Sequence, residues 1–269
     1  MSCPEVLSGG LAHAGAVVRH GYVVERPAPP HATALHAHLR ALAAQGFDGV
    51  PTPLSIGAPL DIGGSGRRER LSYVAGDVAV PPYPSWAWTE GALRSVGALL
   101  RALHAATAAA PLDRTAGWPT ELADPQGVAA DGALLCHNDV CLENVVFRDG
   151  RAAALIDFDL AAPGRPLWDV AMTARYWVPM SGRGGLDAPH RLRVLAEGYG
   201  LTREDRAALP GVIEEATGVC RAFVERRVAG GDSAYTEALE GNGGWERWDR
   251  HQAWLSAHRE NLTTALLTD

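Results

Sequence analysis

The chain has 269 residues, and all 24 of its basic side chains are arginine, so no amine is available as catalytic base, Schiff-base partner or phosphate anchor. Thirty-one acidic residues give a formal charge of −7, which argues against a nucleic-acid surface and leaves room for a cationic ligand. A 47% hydrophobic fraction suffices for a sizeable core in one large domain or two packed lobes.

The first residues, Met1 to Glu5, show no basic stretch followed by an apolar run, and no run of ~18 apolar residues occurs anywhere, so neither a secretory signal nor a membrane span is expected. Cys3, Cys136, Cys141 and Cys220 form no C-x-x-C pair; reduced thiols in a cytoplasmic protein are the expectation.

Taken in chain order, the first ~90 residues alternate glycine-rich turns with β-prone runs. Strands are expected at Gly15 to Arg19, Gly21 to Arg26 and Leu71 to Ala75, with a helix from Ala32 to Gln45 closed by Gly46. The proline-rich stretch from Val78 to Pro84 reads as an extended connector and sets the expected boundary between a lobe at 1–80 and a lobe at 81–269. A helix from Thr89 to Thr107 follows, with Thr89 as N-cap and apolar residues at 93, 96, 99, 100 and 103. Residues 111–132 read as a loop-rich excursion. Helices are expected again at roughly 189–198, 204–230 and 244–267.

The chemistry concentrates between Leu134 and Asp159. Asp149-Gly150 between two apolar runs is a two-residue hairpin signal, because both central positions of such a turn need positive φ. Opposed residues then have numbers summing to about 299. Asn144 faces the neighbourhood of 155, and Asp157 reaches the same open end of the hairpin. An amide oxygen and a carboxylate converging there are donors suited to Mg²⁺, and Asp139, five residues before Asn144, is placed to accept a proton from an attacking hydroxyl while His137 fixes the loop.

The pattern His137-x-Asp139-x-x-x-x-Asn144, with Ile156-Asp157-Phe158-Asp159 following, resembles the aminoglycoside phosphotransferase and choline-kinase group, small-molecule relatives of the protein kinases. The likeness runs on through Ala161-Pro163-Gly164 and Leu167 to Ala171. It implies an α+β, two-lobed protein kinase-like fold: a small antiparallel β-rich N-lobe that binds nucleotide and a larger, mainly helical C-lobe for catalysis and substrate. It further implies Asp139 as catalytic base and Asn144 and Asp157 as metal ligands. Gly9 and Gly10 would form the phosphate-covering turn, Tyr73, Val74 and Ala75 the adenine-binding hinge, and Asp169 a structural carboxylate.

One departure concerns the family's phosphate-gripping cation and its helix glutamate. The matching strand ends Glu25-Arg26, no acid occurs between 32 and 45, and a one-residue slip decides whether Arg26 or Glu25 faces the phosphates.

The implied activity is transfer of the γ-phosphate of ATP, or of GTP, with Mg²⁺, to a hydroxyl of a small molecule such as an antibiotic, an acceptor that can itself be cationic. Neither nucleic acid nor membrane is an expected partner, and monomer and dimer are both open. The alternative is a degenerate kinase that binds nucleotide or a partner without phosphotransfer. For the acceptor, Trp245, Trp248 and Trp254 with Glu246, Asp249 and Glu260, and also Glu214 and Glu215, read as pocket lining no better than as packing and solvated face. A catalytic thiol is disfavoured, since Cys136 ends an apolar run.

Overall fold

The alternation of glycine turns with short apolar runs at the start of the chain resolves, in the computed structural model, into a curved antiparallel sheet; the structure describes residues 4–7, 16–59, 66–127, 132–180 and 185–268. Its strands are β1 (Glu5–Val6), β2 (Val18–His20), β3 (Val23–Pro27), β4 (Pro53–Gly57) and β5 (Arg68–Ser72), in the order β1-β2-β3-β5-β4. Helix α1 (Ala32–Ala44) joins β3 to β4 and buries Leu35, Leu39 and Leu42 along one face. The expected Leu71-to-Ala75 strand lies instead at β5, because Arg68, Glu69 and Arg70 continue the ladder with β3 although none of them is apolar.

From Ser72 the chain crosses through 73–76 to β6 (Asp77–Val78), which pairs not with the first sheet but with β8. Gly76 allows that approach: a Cβ there would come within 2.4 Å of the Phe147 carbonyl oxygen. Helix α2 (Glu90–Ala109) follows, its N-cap Thr89 accepting from the Ala92 amide. Leu93, Val96, Leu100 and Leu103 on α2 are at most 1% exposed and form the centre of the core together with Trp168, Trp177 and Phe147.

Strand β7 (Leu134–Cys136) enters the loop at 137–144, and β8 (Val145–Arg148) and β9 (Arg151–Leu155) form the expected hairpin. Asp149 and Gly150 at its tip have φ of 50° and 71°. Opposed pairs sum to 299 beside the turn (Arg148 with Arg151, Phe147 with Ala152) and to 300 beyond a bulge at Val146/Phe147 (Val145 with Leu155). Strand β10 (Ala162–Gly164) pairs back on β7.

Helices α3 (Pro166–Trp177), α4 (Ala188–Tyr199), α5 (Arg203–Ala229), α6 (Ser233–Gly241) and α7 (Gly244–Leu267) complete the chain. Neither α3 nor α6 is among the expected elements: α3 is buried nearly all round and so lacks an amphipathic stripe, and α6 is a short helix between the expected α5 and α7. Thr202 and Asp205 start α5 with a reciprocal capping box. The result is the expected α+β class, an antiparallel β region followed by a mainly helical one. Among the described residues no helix is long and apolar enough to cross a membrane.

Candidate active site

The loop between β7 and β8 is held from below by a single buried carboxylate. Asp169, on the first turn of α3, accepts the backbone N–H of His137 at 2.7 Å and of Asn138 at 2.8 Å, and its Oδ2 also meets His104 Nε2 at 3.0 Å. Burial alone would push the Asp169 carboxyl up. These donors outweigh it and hold the carboxyl below the ordinary carboxylate range. The position expected of a structural carboxylate thus supports two consecutive amides of the loop. His104, Cys136 and Asp169 cluster closely enough to suggest a metal site, but both Asp169 oxygens are occupied by these donors.

His137 is fixed in one tautomer by its neighbours: Nε2–H donates to the Ile156 carbonyl at 2.9 Å, and Nδ1 accepts the Asp139 amide at 3.3 Å. Asn138 sits at φ 63°, a left-handed conformation that Asn tolerates better than most residues, and its side chain donates to Leu160 O at 3.0 Å.

These constraints aim Asp139. Its Oδ1 accepts the Tyr176 hydroxyl at 2.6 Å and its Oδ2 the Asn144 amide at 3.1 Å. Burial raises the Asp139 carboxyl above its ordinary value, and the Tyr176 hydroxyl opposes that rise. Asn144 also donates to the Asp139 carbonyl at 2.9 Å, so its NH₂ is spent on the loop and its oxygen is turned the other way. The Ile156 amide donates to Asn144 O at 3.0 Å, which places Asn144 and Asp157 together at the open end of the hairpin.

Arg26 reaches the same place from β3. Its Nη1 lies 2.6 Å from Asp157 Oδ1, its Nη2 2.5 Å from Asp159 Oδ1, and its Nε 2.7 Å from Glu69 Oε1. Burial works against the charge on Arg26, but Asp159, Asp157 and Glu69 together raise its pKa further above its already high ordinary value. Glu25 is turned to the opposite face of β3, where Arg70 holds it at 2.8 Å and Arg68 at 3.6 Å. The register therefore directs Arg26, not Glu25, at Asp157.

The donor set fits a hard divalent cation. One guanidinium against Glu69, Asp157 and Asp159 leaves this group with a formal charge of −2. Asp157 keeps 31% of its side chain exposed and has a second carboxylate oxygen beside the one Arg26 takes, and the Asn144 oxygen supplies a neutral donor.

The remaining expected residues divide. Gly9 and Gly10 lie outside the described residues. Tyr73, Val74 and Ala75 occupy the crossing between the two sheets: the Tyr73 amide donates to Tyr22 O, the Arg19 guanidinium stacks 3.6 Å over the Tyr73 ring, and the Ala75 carbonyl accepts from Arg148. Burial raises the thiol pKa values of Cys136, Cys141 and Cys220, which keeps them protonated. Four of the acids considered for an acceptor pocket are paired with arginines: Asp249 with Arg221, Glu246 with Arg250, Glu214 with Arg259 and Glu215 with Arg165. Trp248 and Trp254 pack against the core. Sequence reasoning missed Glu69 and Tyr176. The β3–β5 register that opposes Glu69 to Arg26 carries no sequence signature, while Tyr176, seven residues after Asp169, lies on the same face of α3 and was legible in principle.

Comparison with known proteins finds similarity in sequence and in fold. Residues 124–209 match the phosphotransferase enzyme family. The chain is similar to the trifolitoxin immunity protein of Rhizobium leguminosarum bv. trifolii, with 29% identity over 266 residues, 93% of this chain and 94% of that one. In fold it is similar to aminoglycoside 2'-phosphotransferase-IIIa in its GDP complex (TM-score 0.59, 14% identity, 94% of this chain and 93% of that one). It is likewise similar to the choline kinase of Streptococcus pneumoniae (TM-score 0.54, 13% identity, 95% and 94%). The resemblance expected from residues 134–171 holds, as does the two-lobed kinase-like fold. The family matched over residues 124–209 is one of phosphotransferase enzymes.

Proposed function

From the match of residues 124–209 to the phosphotransferase enzyme family, and from the kinase-like fold of the whole, we propose that this chain is a Mg²⁺- and ATP-dependent phosphotransferase acting on a hydroxyl of a small molecule. The observation that carries the reading is the convergence of Asp139, Asn144 and Asp157, with Asn144 bonded to Asp139 and adjoining Asp157 through the Ile156 amide. In this reading Asn144 and Asp157 hold the metal, which when bound neutralises charge on the phosphate oxygens.

The chain's own residues do the rest. Asp139, oriented by Tyr176 and Asn144, accepts the proton of the acceptor hydroxyl; Arg26 grips the phosphates; and the hinge at Tyr73, Val74 and Ala75 takes the base. The division at residue 80 then separates a nucleotide-binding lobe from a catalytic, substrate-binding one. A cytoplasmic protein, monomeric or dimeric, acting on an antibiotic or related metabolite, fits the toxin-immunity relative; the acceptor can be cationic, as aminoglycosides are.

The alternative, a kinase relative that binds without phosphotransfer, was motivated by the missing lysine and helix glutamate. Arg26 paired with Glu69 weakens that motive. The experiment is incubation with Mg-ATP or Mg-GTP and a panel of aminoglycosides, macrolides, peptides and amino alcohols, alongside thermal-shift titration. Phosphorylated product from any acceptor supports the enzyme. No product together with no Mg-dependent nucleotide stabilisation overturns it.

A further inference from the structure

A guanidinium that is to grip phosphates must be held still before they arrive, and in this chain the helix that follows β3 offers no carboxylate to hold it. The carboxylate comes from the neighbouring strand. Arg26 and Glu69 are directly opposed in the β3–β5 ladder, so their side chains lie on the same face, and Glu69 Oε1 takes Arg26 Nε at 2.7 Å in a fully buried contact. The other Glu69 oxygen is 2.8 Å from Nε2 of His36, a buried residue on α1.

Burial pushes the Glu69 carboxyl up, and the bonds from His36 and Arg26 more than reverse this, so Glu69 is ionised and can only accept. The proton in the His36–Glu69 bond therefore sits on His36 Nε2. His36 Nδ1, also buried, makes no hydrogen bond among the described residues.

We infer that Glu69 and His36 are the positioning residues of Arg26: Glu69 clamps Nε so that Nη1 and Nη2 are presented at the hairpin end, and His36 ties that clamp to α1. The inference rests on reading Arg26 as the phosphate-gripping cation. It relocates the holding carboxylate from helix to strand and leaves the helix a histidine, so that docking of α1 and orientation of Arg26 become one event.

Titration with Mg-AMP-PNP and, separately, with adenosine tests it. Glu69→Gln is expected to weaken the triphosphate about tenfold while leaving adenosine affinity unchanged, a split that general loosening of the fold does not produce. His36→Ala shifts affinity the same way by less, and His36→Gln, which keeps an N–H donor, restores it. Both histidine variants leave the buried charges in place and serve if Glu69→Gln does not fold. Arg26→Gln combined with Glu69→Gln is expected to bind no more weakly than Arg26→Gln alone. Wild-type triphosphate affinity in Glu69→Gln, or in His36→Ala if that is the variant that folds, overturns the inference alone, and so does an equal loss of adenosine and triphosphate. Triphosphate binding that is absent from the wild type, or indifferent to Asp157→Ala, overturns the phosphotransferase reading and the inference with it.

Discussion

Arg26 and Asp157 stand 131 residues apart in the chain and are joined by an ion pair of 2.6 Å that ties the five-stranded sheet to the open end of the β8–β9 hairpin. With Asp159 and Glu69 on its other nitrogens, the guanidinium is bound in three directions by three carboxylates. Only a planar fork can do this; an ammonium is a single point charge and cannot reproduce the geometry.

Arg26→Lys is accordingly expected to behave as a damaging substitution despite conserving charge. Nucleotide affinity should fall and urea unfolding should show a loss of stability. Arg26→Ala, which strands three carboxylates, should cost about 3–5 kcal/mol. A Lys variant with wild-type affinity and midpoint would show that the fork is dispensable.

A second expectation concerns Asp139 and the hydroxyl that orients it. Asp139→Asn removes the proposed base and should lower kcat about 10²–10⁴-fold while Mg-ATP still stabilises the protein. Tyr176→Phe removes one charge-assisted hydrogen bond of 2.6 Å and should lower kcat about tenfold or more, with the KM for ATP unchanged. Phosphotransfer to any acceptor found in the panel, or slow Mg-ATP hydrolysis, provides the readout. A Tyr176→Phe enzyme with unaltered kcat would remove Tyr176 from the machinery.

The hairpin and its open end were legible because turn chemistry and strand period are local: Asp149-Gly150 fixes the fold-back, and period two then brings Asn144 beside Asp157. The bulge at Val146/Phe147 shifts the sum of opposed residues by only one, so the geometry survives it. Arg26 against Glu25 was not legible, because a period-two pattern gives two faces and no label for either. Glu69 was hidden for the related reason that Arg68-Glu69-Arg70 looks like a solvated charge run. It is buried only because Arg26 and His36 meet it from elements 43 and 33 residues away. Helix α3 carries no periodic signature because a helix buried on nearly every side has no stripe.

Asn138 offers a test of backbone strain. With φ at 63°, glycine at this position is conformationally free, whereas alanine is strained by roughly 1 kcal/mol or more, and both lose the bond to Leu160 O. Asn138→Gly should therefore be the milder of the two in thermal stability and in kcat. If Asn138→Ala proves the more stable variant, the left-handed loop conformation is not what the site requires.

The last expectation is the pH dependence of stability carried by Asp169 and Asp124. Asp169 supports the His137–Asn138 loop. Asp124 accepts Arg165 Nε at 2.7 Å and Nη2 at 2.8 Å together with the Arg165 amide, fixing the entry to α3. Burial pushes both carboxyls up, and in each the hydrogen bonds prevail, leaving the native value below the ordinary one. The unfolded chain thus takes up these protons at a higher pH than the folded chain does. The stability they carry is complete above the unfolded carboxyl value of about 3.9 and is lost as pH falls through the lower native values. Unfolding free energy measured by urea titration between pH 7 and pH 3 should decline at the acid end. Asp169→Asn should be less stable at pH 7 by about 3–5 kcal/mol, since it leaves the loop amides and His104 without their carboxylate, and should show a shallower acid decline than wild type. Parallel curves for wild type and Asp169→Asn would mean that the acid lability resides elsewhere and that the loop is held by packing rather than by this carboxylate.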